Sequence, residues 1–388
     1  MKAYCMQLNN VKNCRCCNTP ISEIKLSYDN MPSIAQNMSV DKVEALNSIV
    51  TLNIGQCPMC DLVQLHDATV VPYYKDVIRS SEVSDEMMDF RKDQFSKFAN
   101  YNYLKTSAYC EFGCGNGEYL GIMKDVIPDS IGIEHSKQAL ENCKAKNLKV
   151  IEGFVQNGVS GLGENSINAF GIFNFLEHLP DPKKYLRSMR KYLTKHAVGI
   201  IEVPNFDIMI EGGVFSDFST EHLCYFTKST LKKVLELSGY DVTKIEPIWH
   251  NHILSATVSL SKTIDWKKFD TKLFLIKKEI HTILDDINSG GIVVWGAGHQ
   301  SLATISQLGL IERVDYIVDS SDRKIGKYAP GSGIKINDPD VLLKDSSVKL
   351  LLIMASSYSE EVSNIVLYKY EFINNVYIID GSKCIKIK

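Results

Sequence analysis

The chain has 388 residues, of which 45% are hydrophobic and 23% charged, with a formal net charge of −3. At about 150 residues per domain, this length suggests two or three domains, and the composition excludes a disordered chain, a collagen or a coiled-coil rod. There is no basic excess to hold phosphate backbones, so nucleic acid is not expected as a partner. No run of about 18 apolar residues is present, so no membrane span is expected. The start, residues 1–13, is mixed and polar and lacks a signal-peptide core, which makes the cytoplasm the expected compartment.

Residues 1–72 read as a small unit with few periodic elements. Cys14-Arg15-Cys16-Cys17 opens it and Cys57-Pro58-Met59-Cys60 closes it. Eleven cysteines in a long chain without an export signal, four of them in two Cys-x-x-Cys pairs, favour metal over disulfides. Cys14, Cys17, Cys57 and Cys60 suit one tetrahedral zinc. Four thiolates would leave no open position, so the zinc would be structural, and its binding energy would fold a unit whose own core is thin. The 39 residues between Cys17 and Cys57 imply an inner loop or subdomain. Cys16 is a spare thiol, and a redox role or unpaired buried cysteines remain the alternatives.

Residues 73–262 alternate strand and helix, the signature of a parallel sheet. Strands are predicted at 108–112, 130–133, 150–151, 169–175 and 197–203, with helices over 118–125 and around Ala139 and Cys143. An amphipathic helix over 227–238 carries Leu231, Val234 and Leu235 on one face and ends at Gly239. Segments 240–245 and 252–260 form an antiparallel pair. Beyond a boundary near Lys262, a helix over 265–287 has Trp266, Phe269, Leu273, Ile276, Ile280, Ile283 and Ile287 on one stripe, expected to be core and to pack the third domain against the centre. A second β/α series then fills a third domain, 263–388.

Glu111-Phe112-Gly113-Cys114-Gly115-Asn116-Gly117 lies between a strand and a helix. Its glycines allow a tight turn and close approach of a ligand to the backbone. The following helix start offers free N–H groups. Glu134, 21 residues after Gly113 at the end of the next strand, suits a ribose-binding carboxylate. The G-x-G-x-G form, with an acid before and after it, resembles motif I of class I S-adenosylmethionine (SAM) methyltransferases. The alternative is a tight turn without a ligand. Further strand-end loops carry Glu177-His178 and Asn205, and the segment Ser219-Thr220-Glu221-His222-Leu223-Cys224-Tyr225-Phe226 precedes the amphipathic helix. A histidine beside a glutamate, tuned near neutrality, suits a general base; the plainer reading is a surface or capping residue. Gly296-Ala297-Gly298-His299 follows the strand 292–295, with Asp319 23 residues after Gly296. Taken alone it looks like a dinucleotide loop, but Ser301 stands where a third glycine would.

These parts, in this order, resemble the three-part, zinc-containing SAM-dependent sugar C-methyltransferases, which act on nucleotide-linked 4-keto deoxysugars in antibiotic and surface-polysaccharide pathways. The resemblance spans nearly the whole chain. It is carried by Cys57-Pro58-Met59-Cys60-Asp61-Leu62-Val63-Gln64-Leu65, Ser80-Ser81-Glu82-Val83-Ser84, the loop at Glu111 to Gly117, Leu176-Glu177-His178-Leu179, Glu202-Val203-Pro204-Asn205, Glu221-His222-Leu223-Cys224-Tyr225-Phe226, Trp295-Gly296-Ala297-Gly298 and Lys324-Ile325-Gly326-Lys327.

The resemblance implies a class I methyltransferase α/β domain, an N-terminal zinc-binding unit and a C-terminal Rossmann-like domain that supports substrate binding. It implies SAM held by Glu111, Gly113, Gly115, Gly117 and Glu134, His222 as the base that removes the proton beside the keto group, Glu221 as its acidic neighbour, and His178 as a donor to the enolate oxygen. Asn205, Tyr225 and His299 would line the sugar-nucleotide site between the two larger domains. Ser219, Asp76 and Ile78 stand where the family often carries tyrosines, with Tyr73 and Tyr74 slightly upstream. The rival readings are an O-methyltransferase on the same substrate class, a non-catalytic protein of the same fold, and an oxidoreductase using the Gly296 loop. No oligomeric state is implied.

Overall fold

A computed structural model describes residues 13–33, 39–66, 83–262, 264–287, 290–381 and 383–388. Tyr73, Tyr74, Asp76, Ile78 and the Ser80-Ser81-Glu82 part of the quoted segment lie outside the described residues. The chain divides into two compact units, Met1–Lys262 and Thr263–Lys388.

The first unit starts with the strands β1 (Ile24–Pro32), β2 (Ile49–Gln56) and β3 (Val63–Leu65), with a short helix α1 (Lys42–Asn47) between β1 and β2. Then come α2 (Asp85–Tyr101), β4 (Tyr109–Phe112), α3 (Glu118–Val126), β5 (Ser130–Glu134), α4 (Lys137–Ala145), β6 (Val150–Glu152), β7 (Ile167–Phe173), α5 (Pro182–Met189), β8 (Leu193–Pro204) and α6 (Phe206–Gly212). A two-residue strand β9 (Cys224–Tyr225), α7 (Lys228–Leu237), β10 (Tyr240–Ile248) and β11 (Ile253–Leu260) complete it.

Helix starts follow local chemistry. Ser84, Ser136 and Asp181 each accept a backbone N–H at the start of α2, α4 and α5, and Thr227 and Thr230 form a reciprocal cap on α7. By contrast, α3 starts at Gly117 with no side-chain cap, which leaves its first N–H groups for a ligand.

The main sheet has seven strands in the order β10-β11-β8-β7-β4-β5-β6. β8, β7, β4, β5 and β6 are parallel, and the β10–β11 hairpin joins antiparallel to β8. Order reverses about β4, so a crevice opens at the carboxyl ends of β4 and β7. All four residues of β4 are buried, as a central strand covered on both faces requires. Arg91 on α2 reaches Glu202 on β8 at 2.5 Å with both side chains fully buried; Gln94 and Ser255 bond the other carboxylate oxygen at 2.5 and 2.9 Å. The guanidinium also lies 4.5 Å from the Tyr119 ring centre. This buried pair, bonded through Arg91 Nη1 while Nε and Nη2 make no hydrogen bond, ties α2 to the sheet; removal of either partner would strand a charge.

A second sheet runs β1-β2-β3-β9. Its last strand comes from the loop that carries Glu221-His222, so the cysteine-bearing segment and the seven-stranded domain share hydrogen bonds and lie in one unit. The region 13–66, read from the sequence as poor in regular elements, holds a long β1–β2 ribbon.

The second unit comprises α8 (Trp266–Asp285), β12 (Ile292–Trp295), α9 (His299–Leu308), β13 (Tyr316–Val318), β14 (Ile336–Asn337), β15 (Leu350–Ile353), α10 (Ser359–Lys369), β16 (Val376–Asp380) and β17 (Lys383–Lys386), in a sheet of order β14-β13-β12-β15-β16-β17. β17 alone is antiparallel. The apolar stripe of α8 is core only in its second half. Ile276 and Ile280 are buried with Leu284, whereas Trp266 and Phe269 are 68% and 64% exposed, because the unit's own core does not extend that far along the helix.

Candidate active site

The glycine loop sits at the carboxyl end of β4, in the crevice. Gly113, Gly115 and Gly117 have φ of +80°, +51° and +80°, a region costly to other residues. At Gly117 a Cβ would lie 2.5 Å from Leu148 Cδ1, so that glycine serves packing; at Gly115 a Cβ would meet nothing within 4 Å, so that glycine faces open space. Glu134 closes the loop from the end of β5. It accepts hydrogen bonds from the N–H groups of Gly115 at 2.8 Å, His135 at 2.7 Å and Ser136 at 2.9 Å. No ion pair to Glu134 is found among the described residues. A carboxylate without a salt-bridge partner beside an open backbone cradle fits a cationic ligand that carries a ribose. Glu111 is buried within β4, behind the loop rather than at its rim. Sequence reasoning missed two aromatic residues, one beside this loop and one beside the turn after Glu134. The Phe175 ring would lie 3.1 Å from a Gly113 Cβ, and the Phe154 ring meets His135 edge-on at 6.4 Å. Glu152-Gly153-Phe154, placed immediately after a strand, was the available signal for the second.

The histidines come together from two loops. Leu176–His178 is a single turn of 3-10 helix after β7, and His222 lies just before β9. Their ring centres are 4.8 Å apart in an edge-on arrangement. The N–H of Leu223 donates to the Glu177 carbonyl at 2.8 Å, which ties the loops together. His178 Nδ1 lies 2.8 Å from the Glu221 carbonyl. A carbonyl can only accept, so Nδ1 carries the proton. Burial pushes the His178 ring down to about 3, with the neighbouring His222 acting in the same direction and the carbonyl bond opposing it. The neutral ring therefore presents a lone pair at Nε2, with Glu177 Oε1 at 3.7 Å. This differs from the donor implied by the resemblance: in this tautomer His178 is an acceptor towards the site. Burial also pushes His222 down to about 4, opposed by the charge of Asp217. Both imidazoles are thus uncharged at neutral pH, the state a base needs. The carboxylate acting on His222 is Asp217, a residue the sequence did not single out. Glu221 supplies the backbone oxygen that fixes the other ring.

Two expected substrate residues have internal partners. Asn205 caps α6: it donates to the Asn251 carbonyl at 2.7 Å and accepts from Asp207 N at 3.1 Å, with 3% exposure. The Tyr225 hydroxyl takes the Ser219 N–H at 3.1 Å and donates to the Ser219 carbonyl at 3.2 Å, while its ring lies 6.3 Å from His222 as a wall. His299 is exposed at the start of α9 in the second unit, where it lines a cavity of about 630 Å³ with Asp319, Lys324 and Tyr358.

Cys14, Cys17, Cys57 and Cys60 bring four sulfurs within 4.8 Å of one another. The Cys14–Cys60 and Cys17–Cys57 sulfurs are each 3.4 Å apart, too far for disulfides. A tetrahedral zinc with sulfurs at about 2.3 Å would separate them by about 3.8 Å. The N–H groups of Cys16 and Met59 point at the sulfurs of Cys14 and Cys57 at 3.3 and 3.4 Å. The donor set and its spacing fit a closed zinc centre. Cys16 is buried beside the four.

Residues 82–245 match the family model described as a methyltransferase domain, and residues 255–371 match the one described as a C-methyltransferase C-terminal domain. No curated protein matches the chain. Solved structures similar to it include three SAM-dependent methyltransferases. The one from Clostridium acetobutylicum is 11% identical, with 49% of this chain and 97% of that one covered and a TM-score of 0.38. The one from Archaeoglobus fulgidus is 20% identical, with 44% and 94% covered and a TM-score of 0.38. The one from Aquifex aeolicus is 15% identical, with 46% and 100% covered and a TM-score of 0.36. The two family matches, the strand order and the glycine loop identify the enzyme class. The chain is a SAM-dependent methyltransferase, and its residues 255–371 are similar to the C-terminal domain of C-methyltransferases.

Proposed function

We propose that the protein transfers the methyl group to carbon of a nucleotide-activated keto-deoxysugar, at the position beside the carbonyl. The observation that carries this reading is the meeting of two uncharged imidazoles, the buried His178 and the half-buried His222, past the carboxyl end of β7. The loop from Gly113 to Gly117 and Glu134 would hold SAM, which when bound supplies an electrophilic methyl group on a sulfonium. His222 accepts the proton from the carbon beside the carbonyl, and the electron pair left on that carbon forms the new bond to the methyl group. Burial keeps His222 free of a proton beforehand, and alignment supplies much of the remaining rate. His178, its Nδ1 bound to the Glu221 carbonyl, accepts a hydrogen bond at Nε2 from a sugar hydroxyl or from the other ring. Cys14, Cys17, Cys57 and Cys60 would hold one structural zinc. His299 and the second unit would contribute to sugar-nucleotide binding.

The O-methyl reading has one observation in its favour. A lone pair at His178 Nε2 suits a hydroxyl acceptor and gives an enolate oxygen no donor. The test is mass spectrometry of products from a panel of nucleotide 4-keto sugars with isotope-labelled SAM. Label on ring carbon, abolished in His222→Ala with SAM affinity retained, supports the proposal. Label on oxygen rejects carbon as acceptor, and turnover by His222→Ala at the wild-type rate rejects that residue as base. Cys57→Ser with Cys60→Ser should remove the metal; folded wild-type protein without metal would reject the zinc assignment.

A further inference from the structure

The four-cysteine cluster is connected to both histidine loops. Arg15 lies between Cys14 and Cys16 and is 6% exposed. Its Nη1 donates to the Pro180 carbonyl at 2.9 Å, across 165 residues of sequence, and Pro180 closes the loop Glu177-His178-Leu179-Pro180. Its backbone N–H donates to Gln64 Oε1 at 2.8 Å. Gln64 belongs to β3, whose partner strand β9 begins two residues after His222; Gln64 pairs with Cys224, and Leu65 N donates to the Leu223 carbonyl at 3.1 Å. From the far side of that loop, Lys233 bonds the Cys60 carbonyl at 3.1 Å and Asp61 at 2.9 Å.

Burying a guanidinium costs several kcal/mol unless charge and geometry compensate it. Its Nε and Nη2 make no hydrogen bond. Four thiolates around one divalent ion would leave a net charge of about −2 on the cluster, for which Arg15 is the adjacent counter-charge.

We infer that Arg15 is a positioning residue: it couples the four-cysteine centre to the register of the His178 loop, so that the centre sets the geometry of the two imidazoles as well as folding its own segment. The inference rests on the proposed chemistry only for its catalytic consequence; the positional link stands on the contacts themselves.

The test uses full-length protein labelled with ¹⁵N-histidine, read by imidazole nitrogen shifts at one fixed neutral pH, with His178→Gln identifying the relevant signal. Wild type should show His178 as the Nδ1–H tautomer. Arg15→Met should move that signal towards the other tautomer while zinc content and SAM affinity by calorimetry stay at wild-type values, a combination a merely structural residue would not give. An unmoved signal with zinc retained overturns the inference, as does joint loss of zinc and SAM binding. Should Arg15→Met not fold, Arg15→Lys is judged by the same criteria. If His222→Ala still methylates while Arg15→Met moves the His178 signal, the chemical reading falls and the link remains.

Discussion

The protein contains the same strand–glycine turn–helix unit twice, once after β4 and once after β12, and the two differ at the acid. Glu134 accepts three backbone N–H groups and, among the described residues, meets no cation. Asp319 accepts Ala297 N at 2.7 Å and Ser321 N at 2.9 Å, and also pairs with Lys324 at 2.9 Å. Against burial, which raises it, the Lys324 ammonium and these N–H groups hold the Asp319 carboxyl below its ordinary value. The glycines differ too. All three in the first loop have positive φ, and Gly115 faces open space; in the second, Gly296 turns tightly beneath the Met354 carbonyl, and Gly298, at φ −84°, needs no special conformation. The first loop keeps an unneutralised charge and an open cradle for a cationic cofactor. The second uses its acid to hold itself together, which argues against a ribose site there and against the oxidoreductase reading. A glycine motif with an acid about 20 residues on is therefore ambiguous until the acid's partners are known.

The sharpest way to break this contrast is to remove each acid. Glu134→Ala should weaken SAM binding by roughly 10- to 100-fold, the loss of charge-assisted hydrogen bonds worth about 1.5–3 kcal/mol. Asp319→Ala should leave SAM affinity unchanged and lower stability by about 1–3 kcal/mol. Calorimetry and thermal melts measure both, and equal affinity losses would erase the distinction. Next in size, Gly117→Ala should destabilise by about 1–3 kcal/mol, because φ is positive and Leu148 lies in the way, whereas Gly298→Ala should stay within about 0.5 kcal/mol of wild type. The smallest effect is on pH dependence. Folded His178 and His222 titrate at about 3 and about 4, below the ordinary 6.5. Below pH 6.5 the unfolded chain takes up protons that the folded site refuses, so the stability these rings confer is complete above 6.5 and declines as pH falls towards 4 and 3. His222→Gln should flatten that slope in denaturant titrations.

Much of the first unit was legible because local patterns report local structure. The strands at 108–112 and 130–133 and the helix at 227–238 appear within a residue or two of their expected bounds, since buried strands and amphipathic helices carry their own periodicity. Glu177-His178 was legible from its place after a strand end, and Glu221-His222 from its place before the amphipathic helix; the contact between the two rings was not. What escaped was pairing at a distance. A two-residue strand, β9, has no periodicity, and nothing in Val63-Gln64-Leu65 announces Tyr225 as a partner. The bond from Arg15 to Pro180 and the charge of Asp217 on His222 are likewise tertiary. Asn205 reads equally well as a ligand or a helix cap, and only the Asn251 and Asp207 contacts decide it. The α8 stripe fits the helical period along its whole length, but periodicity does not say how far a core extends.

The most direct measurement is deuterium exchange into a nucleotide 4-keto sugar incubated with the enzyme in heavy water without SAM. Uptake at the carbon beside the carbonyl, lost in His222→Ala, is the expected result. Methyl transfer from SAM with no deuterium uptake by the wild-type enzyme would contradict the assignment of His222 as a base acting on carbon.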